Sequence, residues 1–318
     1  MKEIGGYIEM EHYTNKEYYP SLLKLNCARN SLRYLIRGKK IKKIYLPLLI
    51  CNSIYDACKK ENIEVYFYHI DNNLHPILKN IDKKSFIYII NYYGQLSNKF
   101  LLNLHKDYKN IIVDNVQAFF TKPLKNIDTI YSCRKYFGVT DGSYLYTNCK
   151  KNLNIGEDYS ADRISYLLKR YETNASDNYH LFYENEIKID NLEINYMSKI
   201  TKNILKSLNY KKIIKIRNKN FNYLQKNLRK INKLKVNNNI GPYMYPLLIE
   251  NGEKIRKKLQ ENKIYISKLW PEFKKIENIS AELERSLANN ILPIPCDQRY
   301  NIEDMEIIIK ILMEVTNE

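Results

Sequence analysis

The sequence predicts an α/β fold: a three-layer arrangement with helices on both faces of a mostly parallel sheet, followed by a smaller α+β portion. Two patterns carry that expectation. From Cys27 to Asn148, short apolar runs alternate with stretches of helical period, the pattern of a sheet whose strands are joined by crossover helices. Beyond about residue 200 the pattern changes, to a long helical stretch and then short strands and helices. The chain therefore divides into residues 1–200 and 201–318.

The elements follow in order. The small-residue turn Asn26-Cys27-Ala28-Arg29-Asn30-Ser31 opens a helix, and Lys43–Pro47 reads as a strand ended by proline, which has no N–H to continue a ladder. Ser53–Glu61 has helical spacing, and Glu64–Ile70 is a β-branched and aromatic run that reads as a strand. Phe86–Asn91, Ile111–Val113 and Thr129–Ser132 read as further strands, with a helix over Asn98–Asp107. Asn152–Tyr196 is polar and tyrosine-rich, suited to helices joined by surface loops. A long amphipathic helix is expected over Ser198–Leu234, then a strand over Tyr243–Ile249, a helix over Glu253–Asn262, a short strand at Ile264–Ile266 and a helix over Ile302–Val315.

Composition narrows the partners. With 318 residues and 44% hydrophobic content the chain can bury a full core. No stretch approaches eighteen uncharged apolar residues, and Met1–Gly6 lacks the layout of a signal peptide, so no membrane association and a cytoplasmic location are expected. Six cysteines without CxxC pairs and five histidines without ligand spacing predict no metal site and reduced thiols. The net charge of +17 comes from lysines spread along the chain, so no nucleic-acid partner is expected. A phosphorylated or nucleotide-linked substrate would benefit from the positive field. The densest basic segment, Lys206–Lys235, carries apolar residues at helical spacing, and its charges read as the wet face of a helix.

The chemistry concentrates between Ile111 and Gly142. Asp114 ends an apolar run, and Lys135 follows twenty-one residues later in Ser132-Cys133-Arg134-Lys135, with glycines behind it. A carboxylate and an amine so placed suit pyridoxal 5'-phosphate: the amine condenses with the aldehyde, and the acid keeps the pyridine nitrogen protonated. Duller readings stand beside these, Asp114 as a helix cap, Ser31 as a plain N-cap and Lys135 as a solvated charge. Arg134 is the adjacent alternative to Lys135, but a guanidinium does not deprotonate and cannot form the imine.

With those residues in hand, the chain resembles the DegT/DnrJ/EryC1/StrS aminotransferases of the fold-type I pyridoxal phosphate enzymes. Val113-Asp114-Asn115-Val116-Gln117-Ala118 resembles the family's acid followed by Gln-Ala, and Ser132–Lys135 with Gly138 and Asp141-Gly142 resembles its lysine loop. Asn91-Tyr92-Tyr93-Gly94 resembles the strand end before the acid. The resemblance implies Lys135 and Asp114 as catalytic residues, Gln117 near the ring's 3-hydroxyl, and Ser132 with the Ala28-Arg29-Asn30-Ser31 turn on the cofactor phosphate. Asn195 resembles a residue that reaches the partner subunit's cofactor phosphate. After Pro47, where the family has Thr and a stacking aromatic, the run is Leu48-Leu49-Ile50-Cys51-Asn52, which leaves Cys51, a neighbour or another aromatic to cover the ring.

The family implies a homodimeric enzyme moving an amino group from an amino acid, glutamate foremost, to a keto sugar linked to a nucleotide, as in polysaccharide biosynthesis. A lyase or dehydratase on a related substrate, or a non-catalytic basic binding protein on the same fold, are the alternatives.

Overall fold

Strand-forming runs rich in Ile, Tyr and Phe assemble the centre of the molecule, and the segments between them place helices on the sheet. The computed structural model describes residues 4–270 and 280–316. In chain order the first part comprises β1 (Leu23–Leu25), α1 (Ala28–Lys39), β2 (Lys43–Pro47), α2 (Asn52–Lys60), β3 (Glu64–Ile70) and β4 (Pro76–Ile77). It continues with β5 (Phe86–Ile90), α3 (Asn98–Asp107), β6 (Ile111–Asp114), β7 (Asp128–Ser132) and β8 (Ser143–Tyr146). Then come α4 (Ser165–Glu172), α5 (Tyr179–Asn191), α6 (Lys199–Ser207), α7 (Tyr210–Leu228), β9 (Met244–Leu248), α8 (Gly252–Glu261), α9 (Glu282–Asn290), β10 (Ile291–Pro295) and α10 (Ile302–Thr316).

The eight-stranded sheet runs β1-β8-β7-β6-β5-β2-β3-β4. Its centre is parallel, from β3 through β2, β5 and β6 to β7, while β1, β8 and β4 are antiparallel additions. The fold is thus the mostly parallel αβα sheet that the alternation predicts. β5, and β6 up to its terminal Asp114, are apolar and almost wholly buried, as strands covered on both faces must be. The parallel centre brings the C-terminal ends of β5, β6 and β7 side by side, where loops carry polar groups. A second, two-stranded antiparallel sheet pairs β9 with β10.

Two expectations are corrected. The single helix over Ser198–Leu234 is two helices, because Leu208 is extended and Asn209 caps a new helix by accepting the Lys212 N–H at 3.0 Å. An asparagine that satisfies a free N–H can end one helix and start the next without proline or glycine. Residues 264–266 form no strand; Ile266 is buried in irregular chain. α7 buries Ile213, Arg217, Asn220, Phe221, Leu224 and Leu228, and most of its lysines face outward.

Candidate functional site

Asp114 is the last residue of β6, paired across to Ile90 of β5 and Ile130 of β7, and it is buried. Its Oδ1 accepts the Val116 N–H at 2.8 Å, which turns the chain away from the strand. Its Oδ2 accepts the Tyr88 hydroxyl at 2.7 Å, from the second strand residue before Ile90. Burial pushes the carboxyl up to about 6, against the pull of these two hydrogen bonds and of the positive charge on Lys135. The acid therefore sits close to neutrality in its titration, and Lys135 lies within its electrostatic reach.

The loop after Asp114 is pinned to the end of β5. Asn115 Oδ1 accepts from Asn91 Nδ2 at 2.9 Å, and Gln117 Oε1 accepts the Tyr93 N–H at 2.9 Å. Tyr93 has φ 52° and Gly94 φ 73°, so this turn is left-handed at two successive residues. A side chain at Gly94 would also run into the Asn239 amide. Glycine is the residue this close approach accepts.

Lys135 stands in a tight turn after β7, in which the Cys133 carbonyl accepts from the N–H of Tyr136 at 3.0 Å and of Phe137 at 2.9 Å. Its side chain is exposed, with Nζ 5.4 Å from the centre of the buried Tyr243 ring. Behind the turn, Asp141 is structural: its carboxylate accepts the Ser198 N–H at 2.8 Å, the Ser198 hydroxyl at 2.7 Å and the Thr201 hydroxyl, capping α6. Burial raises this carboxyl too.

Arg217 was not marked by the sequence, where it is one cation among many in a basic helix. It is 1% exposed, and its guanidinium donates to the carbonyls of Pro242 at 2.8 Å, Tyr243 at 3.2 Å and Tyr136 at 3.3 Å, and to Gln298 Oε1 at 2.7 Å. Gln298 Nε2 donates to the same Tyr136 carbonyl at 2.8 Å. The planar five-donor fork thus ties the residue after Lys135 to the segment carrying Tyr243.

At the other pole, Cys27 caps α1 without a side-chain hydrogen bond, and no acidic residue stands in the first turn. The first-turn N–H groups of Ala28, Arg29 and Asn30 precede the helical hydrogen bonds and are positive in character. The Ser31 hydroxyl meets Ser143 Oγ at 2.8 Å, and Asn30 Nδ2 donates to Asn26 Oδ1 at 3.0 Å and the Glu193 carbonyl at 2.9 Å. Ser132 is buried and lies opposite Ser143 in the β7–β8 register. The Asn195 carbonyl accepts the Asn26 N–H at 2.9 Å, so Asn195 is held beside the start of α1.

A cavity of about 570 Å³ opens here, lined among others by Arg29, Cys51, Asn52, Glu186, Asp190 and Trp270. Cys51 is exposed at the start of α2 and its sulfur accepts the Ser53 hydroxyl at 3.2 Å. Trp270, the chain's only tryptophan, brings an aromatic ring to the same cavity as Cys51. Arg29 pairs with Asp190, and Arg134 pairs with Glu186, both acids coming from α5. Among the described residues no cluster of metal-ligating side chains occurs and no helix is long and apolar enough to cross a membrane. The six cysteines are free thiols.

No protein-family model and no curated protein matches this sequence. Solved structures share its fold. An aminotransferase described as DegT DnrJ EryC1 StrS from Brucella abortus superposes with a TM-score of 0.63 at 14% identity, over 93% of this chain and 86% of its own. NtdA from Bacillus subtilis, with bound cofactor PMP, gives a TM-score of 0.65 at 14% identity, over 93% of this chain and 73% of its own. DesI in the presence of its TDP-sugar product gives 0.64 at 12% identity, over 91% of this chain and 79% of its own. At such identities the likeness is one of fold.

Proposed function

We propose that this chain is a pyridoxal phosphate-dependent aminotransferase acting on a keto sugar. The observation that carries the reading is the single end of the sheet where a buried carboxylate, Asp114, lies within electrostatic reach of an accessible amine, Lys135, with Gln117 held beside them. The donor set fits the cofactor. A carboxyl raised to about 6 by burial is stabilised as an anion by a neighbouring cation, which is what a protonated pyridine nitrogen provides. The uncapped start of α1 suits a phosphate. The sugar aminotransferases that share the fold support the same reading.

Bound pyridoxal phosphate supplies an aldehyde and an electron-accepting ring. Asp114 would hold the proton on the ring nitrogen, Lys135 would bind the aldehyde carbon and then carry the proton at the substrate carbon, and Gln117 would orient the ring. The first-turn N–H groups of Ala28, Arg29 and Asn30 and the hydroxyls of Ser31 and Ser132 would hold the phosphate, with Asn195 beside them. Cys51 and its neighbours would cover the ring. Residues 1–200 would bind the cofactor, and residues 201–318 would form the smaller portion against it. A glutamate donor, a nucleotide-linked acceptor, a homodimer and a cytoplasmic location complete the proposal, the TDP-sugar product of DesI supporting the second of these.

The test is borohydride trapping. The wild-type protein incubated with pyridoxal phosphate is expected to give a stable adduct mapping to Lys135, and glutamate is expected to convert the bound cofactor stoichiometrically to its amine form. Lys135→Ala protein that still gives the adduct at the same site would overturn the assignment. Release of an unsaturated product from substrate without conversion of the cofactor would instead favour a lyase.

A further inference from the structure

Two arginines and two carboxylates meet at the start of α1 in a way the proposed reaction does not require. Arg29 follows the α1 N-cap by two residues, and Arg134 lies in the turn before Lys135. Glu186 and Asp190 lie one helical turn apart on α5, so they present one face to the pair. Arg134 pairs with Glu186 and Arg29 with Asp190.

The pairing is incomplete. Arg134 meets Glu186 Oε1 through Nη2, while its Nε is buried without a hydrogen-bond partner. A partly satisfied charged network is the costly kind. The two cations also oppose each other: burial lowers the Arg134 guanidinium from its usual range, and the like charge of Arg29 adds to that. Both act on the buried Cys27 at the N-cap, which places them at the helix end. The acids come from a helix that lies outside the sheet and is anchored by the buried Asn185 and Ile189. α5 packs on α4, is held by Asn185 Nδ2 donating to the Thr140 carbonyl at 3.4 Å and by Lys60 Nζ donating to the Asp190 carbonyl at 2.8 Å, and exposes Tyr179, Tyr183 and Ile187.

We propose that Glu186 and Asp190 are internal stand-ins for a phosphate monoester, and that Arg29 and Arg134 release them to take the cofactor's 5'-phosphate. The exchange balances in charge, since two carboxylates give way to one group carrying nearly two negative charges at pH 7. It also improves the bonding, since phosphate oxygens are strong acceptors in a number that two guanidinium forks and the α1 N–H groups can satisfy. α5 is then a latch whose two carboxylates compete with the anion for the same guanidinium groups. The ligand named here rests on the proposed cofactor; the anion site itself does not.

Trp270 lines the cavity and is the only tryptophan, so its emission reports occupancy. Pyridoxal phosphate, inorganic phosphate, pyridoxal and UDP would be titrated against wild-type, Arg134→Gln, Arg29→Gln, Glu186→Gln and Asp190→Asn proteins. The arginine variants are expected to weaken both phosphate-bearing ligands, pyridoxal phosphate and inorganic phosphate, about tenfold, and the acid variants to tighten both several-fold. Pyridoxal affinity is expected to stay the same throughout. Arginine and acid variants that shift affinity in the same direction would show a merely structural ion-pair cluster and sink the latch, and the acid variants decide this even if Arg134→Gln fails to fold. Opposite shifts on inorganic phosphate, with pyridoxal phosphate binding no tighter than phosphate, would keep the anion site while removing the cofactor reading. UDP displacing pyridoxal phosphate with the same arginine dependence would assign the site to a nucleotide substrate and overturn the proposed occupant.

Discussion

The two poles of the site are built in opposite ways. Around Asp114 the contacts are short hydrogen bonds from Val116 and Tyr88, on strands locked by their neighbours in the sheet. Around Arg29 and Arg134 the contacts are opposed charges, and one side of each pair rides on α5, outside the sheet. A rigid, desolvated acid suits a group whose protonation must be controlled to within a unit or so. A charge cluster that can exchange partners suits binding and release. The comparison teaches that the sheet fixes the acid, while in the proposed latch a helix outside the sheet governs access to the anion end.

Breaking the rigid pole is expected to have the largest effect. Asp114→Asn should lower turnover roughly 10²-fold or more while leaving cofactor phosphate recognition in place. The same change should stabilise the cofactor-free protein. A carboxyl whose folded value is raised from 3.8 to about 6 binds its proton more tightly in the folded state, so it costs nothing below about pH 4 and an increasing amount as pH rises through 6. Denaturant titration should therefore find the variant more stable by up to about 3 kcal/mol at pH 8, with the advantage gone at pH 4. An advantage independent of pH would mean that Asp114 is not the buried, titrating group described.

Next in size is the clamp that joins Lys135 to the rest. Arg217→Met leaves the Pro242 and Tyr243 carbonyls and Gln298 Oε1 without their donor, while the Tyr136 carbonyl keeps Gln298 Nε2, and should destabilise the fold by about 3 kcal/mol, read as a lower denaturation midpoint. Because Arg217 ties down Tyr136, cofactor affinity should fall as well. Stability lost with affinity unchanged would show that the lysine turn is held by other contacts.

The smallest effect sharpens the comparison most. Tyr88→Phe removes one donor from Asp114 Oδ2. The acid limb of the cofactor-binding pH profile should move up by about one unit, with the plateau above it unchanged. A uniform drop across the profile would instead point to a packing defect in β5.

Legibility in the sequence followed the same division. β5 and β6 were readable because strands buried on both faces are nearly continuous apolar runs; Asp114 and Lys135 were singled out by their places at strand ends, and Gln117 by the family resemblance. The four-residue β8 and the three-residue edge strand β1 were not marked, since runs that short carry little periodicity. The break at Leu208–Asn209 was hidden because neither residue is a strong helix breaker, and it is Asn209's cap that makes it. At residues 264–266 the apolar run was real but had no neighbouring strand to pair with.

The sequence alone determined the order of the central parallel strands and the helices between them, and which polar side chains stand at their ends, because period and composition act over a few residues. It could not determine partners far apart in the chain. That Arg217 spans three carbonyls, that Tyr88 donates to Asp114, and that Glu186 and Asp190 face two arginines more than fifty residues upstream were decided when the sheet and helices packed. The physical reason is that a buried charge or donor takes its partner from whatever the fold brings within about 3 Å, and no local pattern in the chain records that choice.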